Sequence, residues 1–440
     1  MSDKLNIQSP KGMHDLLADE YVLYQNVFDK AEEIASYYGF KPIQTPHLEN
    51  VDLFTATVGA TSDIVEKQMY YIKNDGDNSL VLRPEGTAPV MRAYIEHGLH
   101  TLPQPVMLWY KGSFFRHENP QKGRFREFFQ FGLEIIGESK PIGEVMIIQI
   151  FTLALKELGL GPAIVRINSV GDKECRGEYR KKLVAYYRKH LLNLCKDCKR
   201  RLRENPLRLL DCKETKCAEI KRNAPQSIDS LCAPCKQHFK ETLEFLENNG
   251  INYYLDTKLV RGLDYYTRTV FEIFLDQEED SLSTNLPAGQ AGSGLALAAG
   301  GRYDSLAKIL GKRDIPAVGG GMGADRVVMA MREKRIAPKP KRTPKVFLIQ
   351  LSQSAKQKSM NIIEMFRTAN IYIAQSINKD NLNSQLSLAS KMKVPYVLIL
   401  GQKEVLENSI MVRDMDTGAQ ESVPMEKVVE IIKKKITGRK

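Results

Sequence analysis

Between Tyr21 and Tyr38 the apolar residues Leu23, Val27, Ala31, Ile34, Ala35 and Tyr38 recur every three or four positions, which gathers them on one face of a helix. Gly39 stands where such a helix would stop. Short β-type runs follow at Ser79–Arg83, Val106–Lys111 and Phe128–Ile136. Residues 143–158 are apolar almost throughout and predict a buried helix ending at Gly159. Strand patterning returns at Tyr253–Leu255 and Val270–Leu275. Beyond residue 345 the runs VFLIQL, IYIAQ and YVLIL alternate with helical segments from about 354 and at 383–392. That alternation predicts a small α/β domain with a largely parallel sheet.

Three intervals break the pattern. Residues 172–240 are helical in spacing, basic and cysteine-bearing, and read as an insertion. Residues 276–298 are mostly Gly, Ala, Ser and acidic residues, with little to bury, and predict a mobile surface loop. Residues 333–345 hold three prolines among basic residues, the composition of a semi-rigid exposed linker. The expected organisation is a body in two parts, 1–171 and 241–332, interrupted by the 172–240 insertion. A linker at 333–345 and a C-terminal domain at 346–440 complete it.

A length of 440 residues agrees with more than one core. No apolar run approaches the roughly 20 residues of a membrane helix, and residues 1–15 lack a secretory apolar stretch, so a cytoplasmic protein without a membrane role is expected. The net charge of +11 is unevenly spread. Residues 172–240 carry 19 Lys/Arg against 9 Asp/Glu, and residues 345–440 carry 15 against 9. Two basic segments on an acidic body fit a polyanionic partner touched at two places; solvated lysine-rich surfaces are the other reading.

The densest chemistry lies at 114–136, FFRHENPQKGRFREFFQFGLEII. Its polar middle predicts a hairpin with a long basic loop. Alternation on the second strand places Phe128, Gln130, Gly132, Glu134 and Ile136 on one face, a poor core but a good pocket wall. Arg116 on the facing strand could add a fixed positive charge. Four further stretches carry polar or glycine-rich breaks: LRPEGT at 82–87, LVRGLDYYTRTVFE at 259–272, AGGRYD at 299–304 and GGGMGADR at 319–326.

Taken together, these stretches resemble the histidine-specific class II aminoacyl-tRNA synthetases. FRHE with its loop resembles motif 2, GMGADR resembles motif 3, and FKPIQTPHLEN at 40–50 resembles motif 1, the dimer-interface element. LVRGLDYY and AGGRYD are similar to the two histidine signature peptides, and the match runs in family order along the whole chain.

The resemblance implies an α/β protein. Its catalytic domain would be α+β, with a mainly antiparallel sheet flanked by helices, and its C-terminal α/β domain would bind the anticodon. It implies a homodimeric histidine--tRNA ligase using ATP and Mg²⁺, with tRNA(His) and histidine as further partners. Arg116 and Arg261 would be the catalytic residues, and Arg116, Arg124, Phe128 and Arg326 would bind ATP. Glu85, Thr87 and Gln130 would take the histidine ammonium, and Glu134 and Tyr266 the imidazole. Arg261 and Tyr265 complete the histidine-binding set. A synthetase-like regulatory subunit of ATP phosphoribosyltransferase is the alternative; it typically lacks the anticodon-binding domain.

All seven cysteines lie between 175 and 235. Cys195-x₂-Cys198 and Cys232-x₂-Cys235 have zinc-knuckle spacing, with Cys212 and Cys217 between them. A structural Zn²⁺ on Cys195, Cys198, Cys232 and Cys235 stands beside a second reading, free thiols in a helical insertion.

Overall fold

The computed structural model describes residues 7–59, 62–73, 79–212, 214–275, 295–338 and 343–438. Of the expected loop (276–298) and linker (333–345), residues 276–294 and 339–342 lie outside the described residues, whereas Ala298 begins a strand and Glu333 ends a helix. The chain forms two compact units, Met1–Lys339 and Pro340–Lys440.

Eight strands build the sheet of the first unit: β1 (Lys41–Pro42), β2 (Val106–Phe115), β3 (Glu127–Ile136), β4 (Ala163–Ser169), β5 (Tyr253–Leu255), β6 (Thr267–Leu275), β7 (Ala298–Arg302) and β8 (Ala317–Gly323). Their order is β1-β2-β3-β8-β7-β6-β4-β5. The six central strands pair antiparallel, and the two edge strands pair parallel. Helices α1 (Ala18–Tyr37), α2 (Thr87–Glu96) and α3 (Ile142–Glu157) precede the basic segment. α4 (Lys173–Lys189), α5 (Lys196–Glu204), α6 (Thr215–Arg222) and α7 (Ala233–Asn248) build that segment, and α8 (Ala324–Glu333) follows β8.

The pleat of the sheet separates two cores. Phe131, Leu133 and Ile135 of β3 pack with Val27 and Ala31 of α1, Ile148 and Phe151 of α3 and Val327 of α8. On the other side Met91 and Tyr94 of α2 pack with Tyr110, Phe114, Tyr265 and Tyr303. β3 thus turns alternate residues to a helix-backed core and to a polar wall.

An ion pair fastens α3 to the sheet. Arg302, fully buried, donates from Nε and Nη2 to the two oxygens of Glu144 at 2.8 and 2.6 Å, and His238 Nε2 lies 2.6 Å from Glu144 Oε1. His238 belongs to α7, which runs on to Asn248 and buries Leu246 in the main core. The basic segment therefore passes into the body within one helix. Its own small core gathers Tyr179, Leu183, Tyr187, Leu194 and Leu202.

The second unit has the strand order Ile373–Gln375, Val346–Gln350, Tyr396–Leu400, Ser409–Asp414, Gln420–Pro424. The first three are parallel, as the alternation predicts, and the last two add as an antiparallel pair. That pair escapes the sequence pattern because Ser409–Asp414 has only three apolar residues in a row and Gln420–Pro424 is exposed except at Val423, short of the continuous apolar run of a buried parallel strand. Among the described residues no helix is long and apolar enough to cross a membrane.

Candidate active site

The site grows from the β2–β3 hairpin, whose register sets Gly112 against Gln130, Tyr110 against Gly132 and Leu108 against Glu134. On its other edge β3 pairs with the glycine-rich β8. A Cβ on Gly319 would stand 1.6 Å from Glu134 Oε2, and one on Gly321 would stand 1.9 Å from Gln130 Nε2. The glycine run lets two polar side chains lie across a neighbouring strand, where any other residue would displace them.

In front of this wall lies a cleft of about 350 Å³ lined by Arg116, Arg124, Phe128, Gln130, Arg261 and Arg326, among others. Arg116 follows the end of β2; its Nε donates to the Pro84 carbonyl at 2.9 Å, and its guanidinium lies 5.1 Å from the Phe128 ring centre. Arg326, in the first turn of α8, donates to the carbonyls of Gly123 at 3.0 Å and Ala296 at 2.8 Å. Its neighbour Asp325 accepts from Tyr24 Oη at 2.9 Å and from the Phe129 amide at 2.7 Å, locking α8, α1 and β3 together.

Three of the five cleft arginines have carboxylate partners, among them Arg208, 3.2 Å from Asp63. Arg261 pairs with Glu272, and Arg124 lies 3.5 Å from Glu118. Burial lowers the proton affinity of Arg116. Burial also lowers that of Arg326, and repulsion from Arg124, Arg116 and Arg261 adds to it. Guanidinium groups held close at such a cost form a ready anion site.

Directly behind Gln130 lies a closed cluster of acids and hydroxyls. Glu134, with no solvent exposure, accepts on Oε1 from Thr87 Oγ1 at 2.8 Å and Tyr110 Oη at 3.3 Å, and on Oε2 from Tyr303 Oη. Burial pushes its carboxyl up to about 8, against the pull of the Tyr303 and Thr87 hydroxyls. Glu85 accepts from the Thr87 and Ala88 amides at the start of α2, both at 2.8 Å, and from Tyr265 Oη at 3.2 Å; burial raises it too. Tyr266 packs on the Tyr265 ring at 4.7 Å, with the Arg261 guanidinium 6.0 Å from its own ring.

Arg116, Arg124, Phe128, Gln130, Arg261 and Arg326 thus share the cleft. Glu85, Thr87, Glu134, Tyr265 and Tyr266 form the cluster behind it, joined to Gln130 through Tyr110 Oη at 3.4 Å. Phe128, expected with Arg326 to bind ATP, has Arg116 over its ring. Sequence reasoning passed over Tyr110, Tyr303 and Glu272. Tyr303 lay inside the quoted AGGRYD, and alternation on β2 against the polar face of β3 would have found Tyr110.

The four cysteines expected to share one zinc are not brought together. Cys195 and Cys198 gather with Cys212 and Cys217, whereas Cys232 and Cys235 gather with Asp172 and Cys175. Spacing identifies pairs adjacent in the chain; which pairs meet depends on how the intervening helices fold back.

Comparison with known proteins agrees with this geometry. Residues 12–327 match the family model described as Histidyl-tRNA synthetase, and residues 345–435 match that described as Anticodon binding domain. A histidine--tRNA ligase of Syntrophotalea carbinolica is 38% identical over 434 residues, covering 99% of this chain and 100% of its own. The crystal structure of apo S. aureus histidyl-tRNA synthetase superposes with a TM-score of 0.78 at 30% identity, over 97% of this chain and 100% of that one. A Bacillus halodurans structure, titled as an ATP phosphoribosyltransferase regulatory subunit/histidyl-tRNA synthetase, gives 0.61 at 25% identity, over 91% and 99%. With the sheet, the arginine cleft and near full-length likeness in agreement, this chain belongs to the histidyl-tRNA synthetase family.

Proposed function

We propose that the chain is a histidine--tRNA ligase that joins histidine to ATP as histidyl-adenylate, releases pyrophosphate, and passes histidine to the 3′ end of tRNA(His). One observation carries the reading: an arginine-lined anion cleft is joined, through the Gln130–Tyr110 hydrogen bond, to a buried acid–hydroxyl cluster that can read an imidazole.

Activation brings two anions together, since the histidine carboxylate attacks the α-phosphorus of ATP. The catalytic demand is charge neutralisation and in-line placement. Arg116 and Arg261 meet the α-phosphate and the attacking carboxylate, while Arg124 takes the γ-phosphate. Phe128 and Arg326 hold the adenine, which requires the Arg116 guanidinium to leave the Phe128 face when ATP enters. Glu118 and Glu272 on the cleft wall, released from Arg124 and Arg261, would hold a Mg²⁺ that would neutralise the leaving pyrophosphate.

Histidine exchanges hydrogen bonds with the cluster. Glu85, Thr87 and Gln130 take its ammonium, with Tyr265 beside them. Glu134 and Tyr266 take the two ring nitrogens. An acid balanced near neutrality can accept from a ring N–H at little cost, and buried polar groups left unpaired reject amino acids lacking that ring. The tRNA meets the 118–124 loop with its acceptor end and the 345–440 domain with its anticodon, and motif 1 mediates a homodimer. The regulatory-subunit alternative is the weaker reading, because the chain has a C-terminal match to an anticodon-binding domain.

Exchange of labelled pyrophosphate into ATP, scanned over all proteinogenic amino acids with Mg²⁺, tests the proposal. Exchange with histidine alone is expected; exchange with a different amino acid, or with none, overturns it.

A further inference from the structure

The helices of the basic segment gather its cysteines into two places. Among the described residues, Cys195, Cys198, Cys212 and Cys217 form one group of close donor atoms, and Asp172, Cys175, Cys232 and Cys235 form another. We propose that each group holds its own Zn²⁺, one in an all-thiolate site and one in a three-thiolate, one-carboxylate site.

The distances suit a metal. Tetrahedral coordination with Zn–S of about 2.3 Å places neighbouring sulfurs roughly 3.8 Å apart. Cys195 Sγ and Cys212 Sγ are 3.9 Å apart, and all donor atoms within each group lie within 4.8 Å of one another. A disulfide would need about 2 Å, and all seven cysteines are free.

The local architecture repeats three times. Asp172, Cys195 and Cys232 occupy the N-cap positions of α4, α5 and α7, and Cys175, Cys198 and Cys235 lie three residues further on, in the first turn. N-cap and third-residue side chains meet beyond the helix end, where backbone amides are unpaired. Those amides point at sulfur: Cys198 N–H to Cys195 Sγ at 3.4 Å, Cys195 N–H to Cys217 Sγ at 3.4 Å, and Cys232 N–H to Cys175 Sγ at 3.0 Å. Such donors favour the thiolate that a metal requires. Asp172 spends Oδ1 on the Glu174 and Cys175 amides, at 3.1 and 3.2 Å. Its Oδ2 is left facing Cys235 Sγ at 3.1 Å and Cys232 Sγ at 3.7 Å. On binding, each cysteine releases its proton to solvent and each S–H···O contact gives way to a metal bond. The Asp172-x₂-Cys175 pair has the same spacing as the two Cys-x₂-Cys pairs, so the second site is hidden in the sequence by its aspartate.

The placement gives each ion a separate task. The Asp172 site joins the starts of α4 and α7, the root where the segment leaves and rejoins the body. The all-cysteine site staples α5 to α6, and the turn between them, at Arg208 and Asp211, is what reaches the cleft. Arg201 of α5 and Arg208 just after it both lie 3.2 Å from Asp63, and both Asp63 and Arg208 line the ATP-side cleft. A helical segment this basic, with so small a core, gains much from such staples.

The test is metal content of the full-length protein, expressed with zinc and washed with chelator, measured by elemental analysis. Two zinc ions per chain are expected, falling to one in Cys198→Ser and to one in Cys235→Ser. The wild-type protein gives an independent reading. Its cysteines should resist a thiol reagent while folded and react when denatured with chelator, and cobalt substitution should yield thiolate charge-transfer and tetrahedral ligand-field bands. One zinc or none in the wild type, iron in place of zinc, or freely reactive cysteines in the folded protein would overturn the proposal. Metal content is read without substrate, so its failure and a failure of histidine-dependent exchange are separate results.

Discussion

Glu134 and Glu144 are both fully buried in the same unit, on β3 and on the α3 helix packed beneath the sheet, yet they hold their protons in opposite ways. Around Glu134 the partners are neutral hydroxyls from Thr87, Tyr110 and Tyr303, and burial pushes its carboxyl up to about 8. Burial works in the same direction on Glu144, but the Arg302 fork and His238 outweigh it and hold the carboxyl down at about 2. Two consecutive residues make the difference: Arg302 turns to the helix-backed side and Tyr303 to the site. A buried carboxylate with a matched cation is a fastening. One surrounded by neutral donors is kept for a ligand that brings the missing partner.

Breaking the fastening should have the largest effect. Arg302→Leu leaves Glu144 a buried charge with only His238 beside it and should cost about 3–5 kcal/mol of stability, read as a lower urea midpoint. The neighbouring change separates the two roles. Tyr303→Phe removes one donor to Glu134 and should cost about 2 kcal/mol of histidine activation, roughly 30-fold, with the urea midpoint close to wild type. Gly319→Ala, whose Cβ would collide with Glu134 Oε2, should cost about tenfold through displacement of that carboxylate. Steady-state kinetics should show it as a raised KM for histidine with KM for ATP little changed.

Smallest and most graded is the response to pH. The folded-state value for Glu144 lies below its ordinary 4.5, so its contribution is full above about 4.5 and fades as pH falls towards 2. Glu134 lies above 4.5, so its protonated form is favoured in the fold and stability erodes as pH rises from about 4.5 through 8. The gap in urea midpoint between Glu144→Gln and wild type should therefore close on acidification. That between Glu134→Gln and wild type should open, in favour of the variant, as pH rises. Parallel curves for the two variants would remove the distinction.

Much of this was legible in the sequence because strand alternation is local. The face carrying Phe128, Gln130 and Glu134 follows from a period of two, and the glycine run before Arg326 marks a strand crossed by side chains. What stayed hidden was non-local. Tyr110 reads as one more aromatic in an apolar strand until β2 is laid against β3. Glu272 looks like a solvated residue of β6 until Arg261 folds back onto it. The cysteine partners failed for the same reason, since spacing pairs Cys195 with Cys198 but cannot say that Cys212 and Cys217 return to them. The hairpin ending the second unit was missed because the apolar run of its first strand is short and its second strand is polar and exposed except at Val423.

The central claim is that Glu134 serves histidine recognition and contributes nothing that the fold requires. Histidine-dependent pyrophosphate exchange and the urea midpoint, measured on one preparation of Glu134→Gln at neutral pH, test it most directly. The account predicts exchange lowered about 100-fold or more, with a midpoint at or above that of wild type. Exchange close to wild type, or a loss of exchange matched by a loss of stability, would contradict it.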